Sequence, residues 1–467
     1  MESEEIVHPR VTRDPDVRAA HAADASGLRA EPAGVARPER ESEVVELVRA
    51  AASRGEPLTA QGLRSSTTGA SVVERGLALS LESMGRLLEV DPVRRVARAE
   101  PGINLGEFKR QLRDSGLFYP PDPTSENECT LGGTVACNAS GSRTYRYGAT
   151  RPWINALRVV LADGSVITPR RGGPNKNATG YHGFQDPIDL WIGSEGTLGI
   201  VTEVEVHCLP LPPGDFAALA FFPSRHEAIA FVLAADLARR EGTLAPRCLE
   251  LFDEASLSLV APEASAFRIP TGAGAAIEFE EECEPGRELE AFDAWHRAIA
   301  VAGGLADETI VARTASEKQE LRRLRHAIPA GMNERGARAA QLGGRKVSTD
   351  YAVPLDLLPL MTEESFRLAA EHFGGFVTGY GHAGNGHLHF NRLAESPEAL
   401  ERALAAAHAM SARALELGGA LSAEHGIGKL KRRLFAELYP RWLVEAMRAV
   451  KVSLDPKGLL APGNLFE

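Results

Sequence analysis

No uninterrupted apolar run in the sequence reaches the ~18 residues of a membrane-spanning helix, so no span is expected. A net charge of −11 leaves no basic excess for a phosphate backbone, which argues against nucleic acid as a partner. The cysteines Cys129, Cys137, Cys208, Cys248 and Cys283 are scattered, with no C-x-x-C pair. That spacing excludes an iron–sulfur cluster of ferredoxin type, argues against a disulfide framework and fits a reducing cytoplasm. Met1-Glu2-Ser3-Glu4-Glu5 is acidic and no apolar core follows, so no signal peptide is expected. A cytoplasmic protein is the expectation, with peripheral attachment to a membrane left open.

Two nucleotide fingerprints are also missing. Gly272-Ala273-Gly274 lacks the third glycine of a dinucleotide loop. Gly426-Ile427-Gly428-Lys429 is followed by Leu430, not by the Ser or Thr of a P-loop. Nicotinamide and ATP therefore have no visible seat.

What is present is an ordinary soluble composition, 44% apolar and 25% charged, in 467 residues. That length predicts two or three domains. Residues 1–35 are polar and loop-like. Apolar spacing predicts a helix over 41–54, a strand over 57–60, another over 76–81 and a third over 93–99. A helix is expected over 104–115, then a small-residue stretch without regular periodicity from 119 to 142. Strands at 156–161 and 165–169 flank the hairpin turn Asp163-Gly164. Pro210, Pro212, Pro213 and Gly214 mark a boundary. Beyond it, strand-like runs (217–222, 275–279, 346–353) alternate with helical ones (225–240, 287–301, 354–372), an α+β layer with helices on an antiparallel sheet. The acid run Glu278 to Glu284 reads as a solvated strand end. Helices are expected over 397–417 and 437–451.

Two stretches carry chemistry. Gln61-Gly62-Leu63-Arg64-Ser65-Ser66-Thr67-Thr68-Gly69 follows a strand and offers hydroxyls and backbone N–H groups. It reads either as a phosphate cradle or as a plain Ser/Thr loop. The second is Gly379-Tyr380-Gly381-His382-Ala383-Gly384-Asn385-Gly386-His387-Leu388-His389-Phe390-Asn391, with three of the thirteen histidines. Phe376-Val377-Thr378 reads as a strand end, Asn385-Gly386 as a turn and His387 to Asn391 as a returning strand, which puts His387 and His389 on one face. With Glu424-His425 further on, the cluster reads either as ligands for a divalent metal beside a base or as hydrogen-bonded histidines.

Five motifs in order resemble one family. They are the 61–69 loop, Pro121 to Gly148, Lys176-Asn177-Ala178-Thr179-Gly180-Tyr181 with Gly193 to Val204, the histidine cluster, and Glu424 to Gly428. The chain resembles flavin-linked oxidoreductases of the vanillyl-alcohol oxidase type, with a PCMH-type FAD domain. Within them it is similar to the D-lactate, glycolate and D-2-hydroxyglutarate dehydrogenase group. The resemblance implies an α+β fold. Residues 1–35 would be an N-terminal extension, 36–213 an FAD-binding domain, and 214–415 an inserted α+β cap with an antiparallel sheet. Residues 416–467 would be a C-terminal helical segment returning to complete the FAD site.

The resemblance implies FAD contacts from Gln61, Gly62, Leu63, Arg64, Ser65, Ser66, Thr67, Thr68, Pro121, Thr124, Thr130, Gly132, Gly133, Asn138, Gly141, Ser142, Glu195, Gly196, Gly199 and Ile200. Leu63, Arg64 and Ser66 stand where the family commonly has glycine. No histidine lies in that loop, so FAD is expected to be non-covalent. His382, His389 and Glu424 match the ligands of a divalent metal (Zn, Mn or Fe), His425 the general base and Asn391 a substrate contact. Arg325 resembles an arginine that meets the substrate carboxylate, although a solvated helix face is an equal reading. Asn385 replaces the usual aspartate and His387 the usual asparagine. Ser348 stands where the hydroxyglutarate branch has lysine, a lean toward a monocarboxylate.

The implied activity is oxidation of a D-2-hydroxy acid, D-lactate- or glycolate-like, to the 2-oxo acid, with hydride passing to flavin N5. A quinone, cytochrome or electron-transfer protein would take the electrons, and a homodimer is compatible. The alternatives are a flavin oxidase of another alcohol, or the flavin subunit of a larger electron-transfer complex. Alkylglycerone-phosphate synthase shares the flavin fold, but its family lacks the His382/His389 pattern.

Overall fold

The helix expected over 41–54 forms across Glu41–Arg54 and turns Val44, Leu47, Val48 and Ala51 inward. Those positions repeat at three and four residues, so one stripe faces the core. Gly55, at φ 68°, ends it in the left-handed conformation. The computed structural model describes residues 6, 8–174, 176–260, 268–372 and 377–466. Phe376, expected to begin a strand, lies outside them.

The chain divides into two units. The first comprises Met1–Ser140, Gly148–Leu211 and Glu424–Glu467, and the second Gly141–Tyr147 and Pro212–Ala423. In the first, a sheet runs Val11–Thr12, Gly34–Ala36, Leu77–Ser80, Leu58–Gln61, the last three mutually parallel. The Val11–Thr12 and Gly34–Ala36 strands lie in the stretch read as extension and loop. They are too short to show a period. A second, antiparallel sheet runs Leu87–Asp91, Val96–Ala99, Ile200–His207, Ile154–Val160, Val166–Ile167. The end of the chain returns to this unit: the Leu58 N–H donates to Leu459 O at 2.8 Å, and the Ala461 N–H to Leu58 O at 2.7 Å.

A helix, Leu131–Cys137, forms inside the stretch expected to be irregular. Thr130 caps it, its Oγ1 accepting the Gly133 N–H at 3.1 Å. Its sequence, Leu-Gly-Gly-Thr-Val-Ala-Cys, has low helix propensity, which hid it. At the other end of the chain, the helix expected over 437–451 is two, Arg432–Leu438 and Arg441–Leu454, parted at Pro440.

Among its described residues the second unit is built on a seven-stranded antiparallel sheet. Its order is Ile310–Ala312, Asp215–Phe222, Ala275–Glu282, Pro246–Asp253, Val377–Gly381, His389–Ala394, Arg345–Ser348. Strand alternation splits its side chains between two cores. Phe216, Phe222, Ile277 and Phe279 face one, where Trp295 stacks on Phe279 at 4.0 Å between ring centroids. Leu219, Phe221, Phe252 and Ala276 face the other, with Leu321, Leu324 and Ile328 of the 27-residue helix Ala315–Gln341.

The acid run is not solvated where it matters. Glu278 and Glu280 are buried, 4% and 7% exposed, on the second face. The Arg143 guanidinium grips Glu280 with two N–H groups at 2.8 and 3.1 Å. Burial would raise the Glu280 carboxyl, but Arg143, and next Arg247, hold it well below the usual carboxylate range. A run of glutamates reads as solvated until its arginines, remote in sequence, fold onto it.

Candidate active site

Within the second unit, His382, His387 and His389 offer ring nitrogens within 4.8 Å of one another, all three buried. The strand Val377–Gly381 delivers the chain to His382 and the strand His389–Ala394 leads it away. His387 precedes that second strand and sits in the turn, so strand alternation does not pair it with His389. The strand expected from 387 begins two residues later, at His389, after Gly386 turns at φ 65°. Gly381 is needed for a packing reason: a Cβ there would lie 2.9 Å from His389 Cδ2.

Two hydrogen bonds set the imidazoles. His382 Nδ1 lies 2.8 Å from Glu250 Oε1. His389 Nδ1 lies 3.4 Å from Thr349 O. A carbonyl, and a carboxylate paired with an arginine, only accept, so both Nδ1 atoms carry a proton, which in a neutral ring leaves the lone pair on Nε2. That is how metal-ligating histidines are commonly arranged, the second nitrogen donating to a carboxylate or carbonyl. The donor set therefore fits a borderline divalent ion. His387 Nε2 lies 3.5 Å from Asp350 Oδ1. Asp350 is held in turn by the Ser422 hydroxyl at 2.6 Å and, through its carbonyl, by the Ala423 N–H at 2.7 Å. Glu424 is the next residue in the chain.

Asn391 is buried, and its Nδ2 lies 3.4 Å from His389 O. Ser348 and Asn391 are cross-strand partners, which puts them on one face with His389, two residues earlier. Arg325, on the long helix, donates from Nε to Glu250 at 3.1 Å and from one NH group to Ser142 Oγ at 3.2 Å. Gly141 and Ser142 belong to the segment grouped with the second unit.

In the first unit three expected segments meet. Thr68 accepts at its carbonyl from the Lys429 and Leu430 N–H groups at 3.0 and 3.1 Å. The Glu195 carboxylate accepts the Ile427 and Gly428 N–H groups at 2.6 and 2.7 Å. Gly428 cannot be replaced there, since a Cβ would lie 2.3 Å from Thr68 O. Asn464 ties the same knot, donating to Ala70 O at 2.9 Å and to Glu195 O at 3.2 Å. Its Oδ1 accepts Lys429 Nζ at 2.6 Å, and burial pulls that lysine down to about 8. Burial pushes the Glu195 carboxyl up, with the two backbone donors opposing. Asn464 was not singled out from the sequence, and Lys429 was named only in the rejected P-loop match.

Apart from Gly141 and Ser142, the other expected flavin contacts belong to the same unit. Gln61 bridges the loop ends, its amide donating to Ser71 O at 2.7 Å and His21 O at 3.2 Å. Arg64 adopts φ 60°, a conformation that suits glycine, and is held by Glu82. Leu63 and Thr67 are exposed, while Ser65 and Ser66 are half-buried. The Ser66 hydroxyl accepts the Ala70 N–H at 3.2 Å. Pro121 is buried and its carbonyl accepts from Lys109 Nζ at 2.9 Å, whereas Thr124 is exposed. Gly132 and Gly133 form the first turn of the capped helix and Asn138 closes it at φ 50°. Gly196 turns at φ 74°, and Ile200, after Gly199, begins the strand Ile200–His207. His425 gives its carbonyl to the Thr68 hydroxyl at 3.3 Å, and its Nε2 lies 3.4 Å from Glu424 Oε1.

Sequence comparison names the class these segments build. Residues 32–169 match the FAD binding domain, and residues 212–465 match the C-terminal domain of FAD linked oxidases. The chain belongs to the FAD-linked oxidases and is an oxidoreductase that uses FAD. It is 34% identical to an uncharacterized FAD-linked oxidoreductase of Mycobacterium tuberculosis, over 96% of this chain and 94% of the relative. It is 30% identical to the glycolate oxidase subunit GlcD of Bacillus subtilis, over 93% and 89%. It is 31% identical to a D-lactate dehydrogenase of Archaeoglobus fulgidus, over 92% and 90%. The fold is that of a solved 4-ethylphenol oxidase from Gulosibacter chungangensis, with a TM-score of 0.70 at 18% identity over 98% of this chain and 94% of that one. Among the described residues no helix is long and apolar enough to cross a membrane.

Proposed function

We propose that the chain oxidises a D-2-hydroxy acid of the D-lactate or glycolate kind to its 2-oxo acid, with FAD and a divalent ion. When bound, the ion would supply acidity to the substrate hydroxyl and FAD would supply a hydride acceptor for the α-hydrogen. His382 and His389 would hold the ion, and Glu424 is the oxygen ligand that the family resemblance implies. His387 contributes a third imidazole. His425 takes the hydroxyl proton at a ring nitrogen. Arg325 receives the substrate carboxylate, its five donors serving more than one acceptor, and Asn391 contacts the substrate.

The observation that carries this reading is the pair of Nδ1 bonds, from His382 to Glu250 and from His389 to Thr349. A monocarboxylate is favoured because Ser348, on the face of Asn391, has no charge for a second carboxylate. Lys346, two residues earlier in the strand, donates instead to Asn333 of the long helix at 2.5 Å. The relatives carry names of glycolate, D-lactate and D-2-hydroxyglutarate enzymes alike, which supports a D-2-hydroxy acid without choosing its side chain.

A panel of D- and L-2-hydroxy acids, read by anaerobic bleaching of the flavin, tests the proposal. Bleaching by D-lactate or glycolate but not L-lactate is expected. Reoxidation in air versus by a quinone dye separates an oxidase from a dehydrogenase. If no acid on the panel bleaches the flavin, the reading fails in favour of a flavin subunit that needs its complex.

A further inference from the structure

Glu250 lies in the strand Pro246–Asp253 and is 2% exposed. Nothing in the neighbouring sequence marks it, yet its two carboxylate oxygens face two different parts of the site. Oε1 accepts from His382 Nδ1 at 2.8 Å, and Oε2 from Arg325 Nε at 3.1 Å. Its cross-strand partner is Glu278. We infer that Glu250 is a positioning residue that joins the metal ligand to the arginine of the substrate carboxylate. The inference rests on the proposed function above, in which His382 binds the ion and Arg325 the acid.

The geometry explains why one carboxylate serves both. Left alone, an imidazole exchanges its proton between Nδ1 and Nε2 and turns about its ring bonds. The Oε1 bond keeps the proton on Nδ1 and fixes the ring, so the Nε2 lone pair is presented in one direction. The arginine is long and carries much rotamer freedom. The Oε2 bond takes Nε and so orients the plane in which the terminal NH groups lie. Because both bonds belong to one rigid planar group, the spacing between metal ligand and carboxylate receptor is set by a single side chain. That side chain stands on a central strand with paired neighbours on both sides.

The test uses the full-length FAD-loaded protein, stripped of metal by a chelator and titrated with Zn²⁺ by calorimetry, with steady-state D-lactate kinetics alongside. Wild type and His382→Ala come first. If wild type takes no zinc, or His382→Ala takes it equally well, the metal reading fails and this inference falls with it. If zinc binding depends on His382, the Glu250 variants decide. Glu250→Ala is expected to lose about 10- to 100-fold in zinc affinity at unchanged flavin content. Glu250→Gln keeps an acceptor for His382 but turns an NH₂ toward Arg325. It is expected to recover most of the zinc affinity while KM for D-lactate stays raised. This separation of metal affinity from KM is not what a merely structural residue would produce. Should Glu250→Ala fail to fold, the isosteric glutamine variant still decides through its KM. Zinc affinity and KM both equal to wild type in Glu250→Gln, with zinc affinity unchanged in any folded Glu250→Ala, would overturn the inference while leaving the metal reading intact.

Discussion

The His425 carbonyl accepts a hydrogen bond from the Thr68 hydroxyl at 3.3 Å, which ties the backbone of this residue to the 61–69 loop. His425→Ala is expected to keep its flavin, because the carbonyl remains. Its rate of flavin reduction by D-lactate should fall by about 10²- to 10⁴-fold, the usual contribution of a positioned base. Stopped-flow bleaching at matched flavin content measures this. Reduction at the wild-type rate would remove His425 as the base.

Chelation is expected to abolish flavin reduction reversibly, with Zn²⁺, Mn²⁺ or Fe²⁺ restoring it. His382→Ala and His389→Ala should each retain little metal by elemental analysis. His387→Asn returns the residue usual in the family. Its metal should bind more weakly but still be retained, since His382 and His389 keep their Nδ1 partners. Normal reduction by fully metal-free protein would dispose of the ion's role.

The parts legible in sequence are those with local causes. The helix Arg225–Arg240 follows from its own apolar spacing, and the histidine cluster from glycines that sit beside its histidines. Glu250 was invisible because its importance depends on pairing with Val377–Gly381 and on Arg325, both far off in sequence. The buried glutamates on Ala275–Glu282 were misread for the same reason, since Arg143 comes from a segment 137 residues away. Arg64 shows the opposite failure. A glycine position can be filled by another residue when its side chain is anchored, as Glu82 anchors the Arg64 guanidinium, and residue type alone then hides the turn.

Ser348 offers a direct test of substrate range. It faces Asn391 across the strands, and lysine there would extend a charge over the same face. Ser348→Lys is expected to lower KM for D-2-hydroxyglutarate relative to D-lactate by about 10-fold or more, the scale of one charge-assisted hydrogen bond. The ratio of kcat/KM for the two acids is the measurement. An unchanged ratio would mean that Ser348 does not line the substrate.

Glu278 makes the stability of the second unit depend on pH. It stands between Leu219 and Glu250 in the sheet, and burial pushes its carboxyl up to about 8. Arg325 pulls the other way, while Glu280 and Glu250 add to the rise. The folded chain therefore holds this proton more tightly than the unfolded chain, whose carboxyl titrates near 4.5. By linkage, the stabilisation is whole below about 4.5 and is lost progressively as pH rises toward 8. Above that, folding keeps a poorly solvated carboxylate buried beside two others. Glu278→Gln supplies a permanently neutral group of the same shape. Its thermal midpoint is expected to match wild type near pH 5 and to exceed it at pH 9. Parallel midpoint–pH curves for the two proteins would show that Glu278 is not the group that titrates.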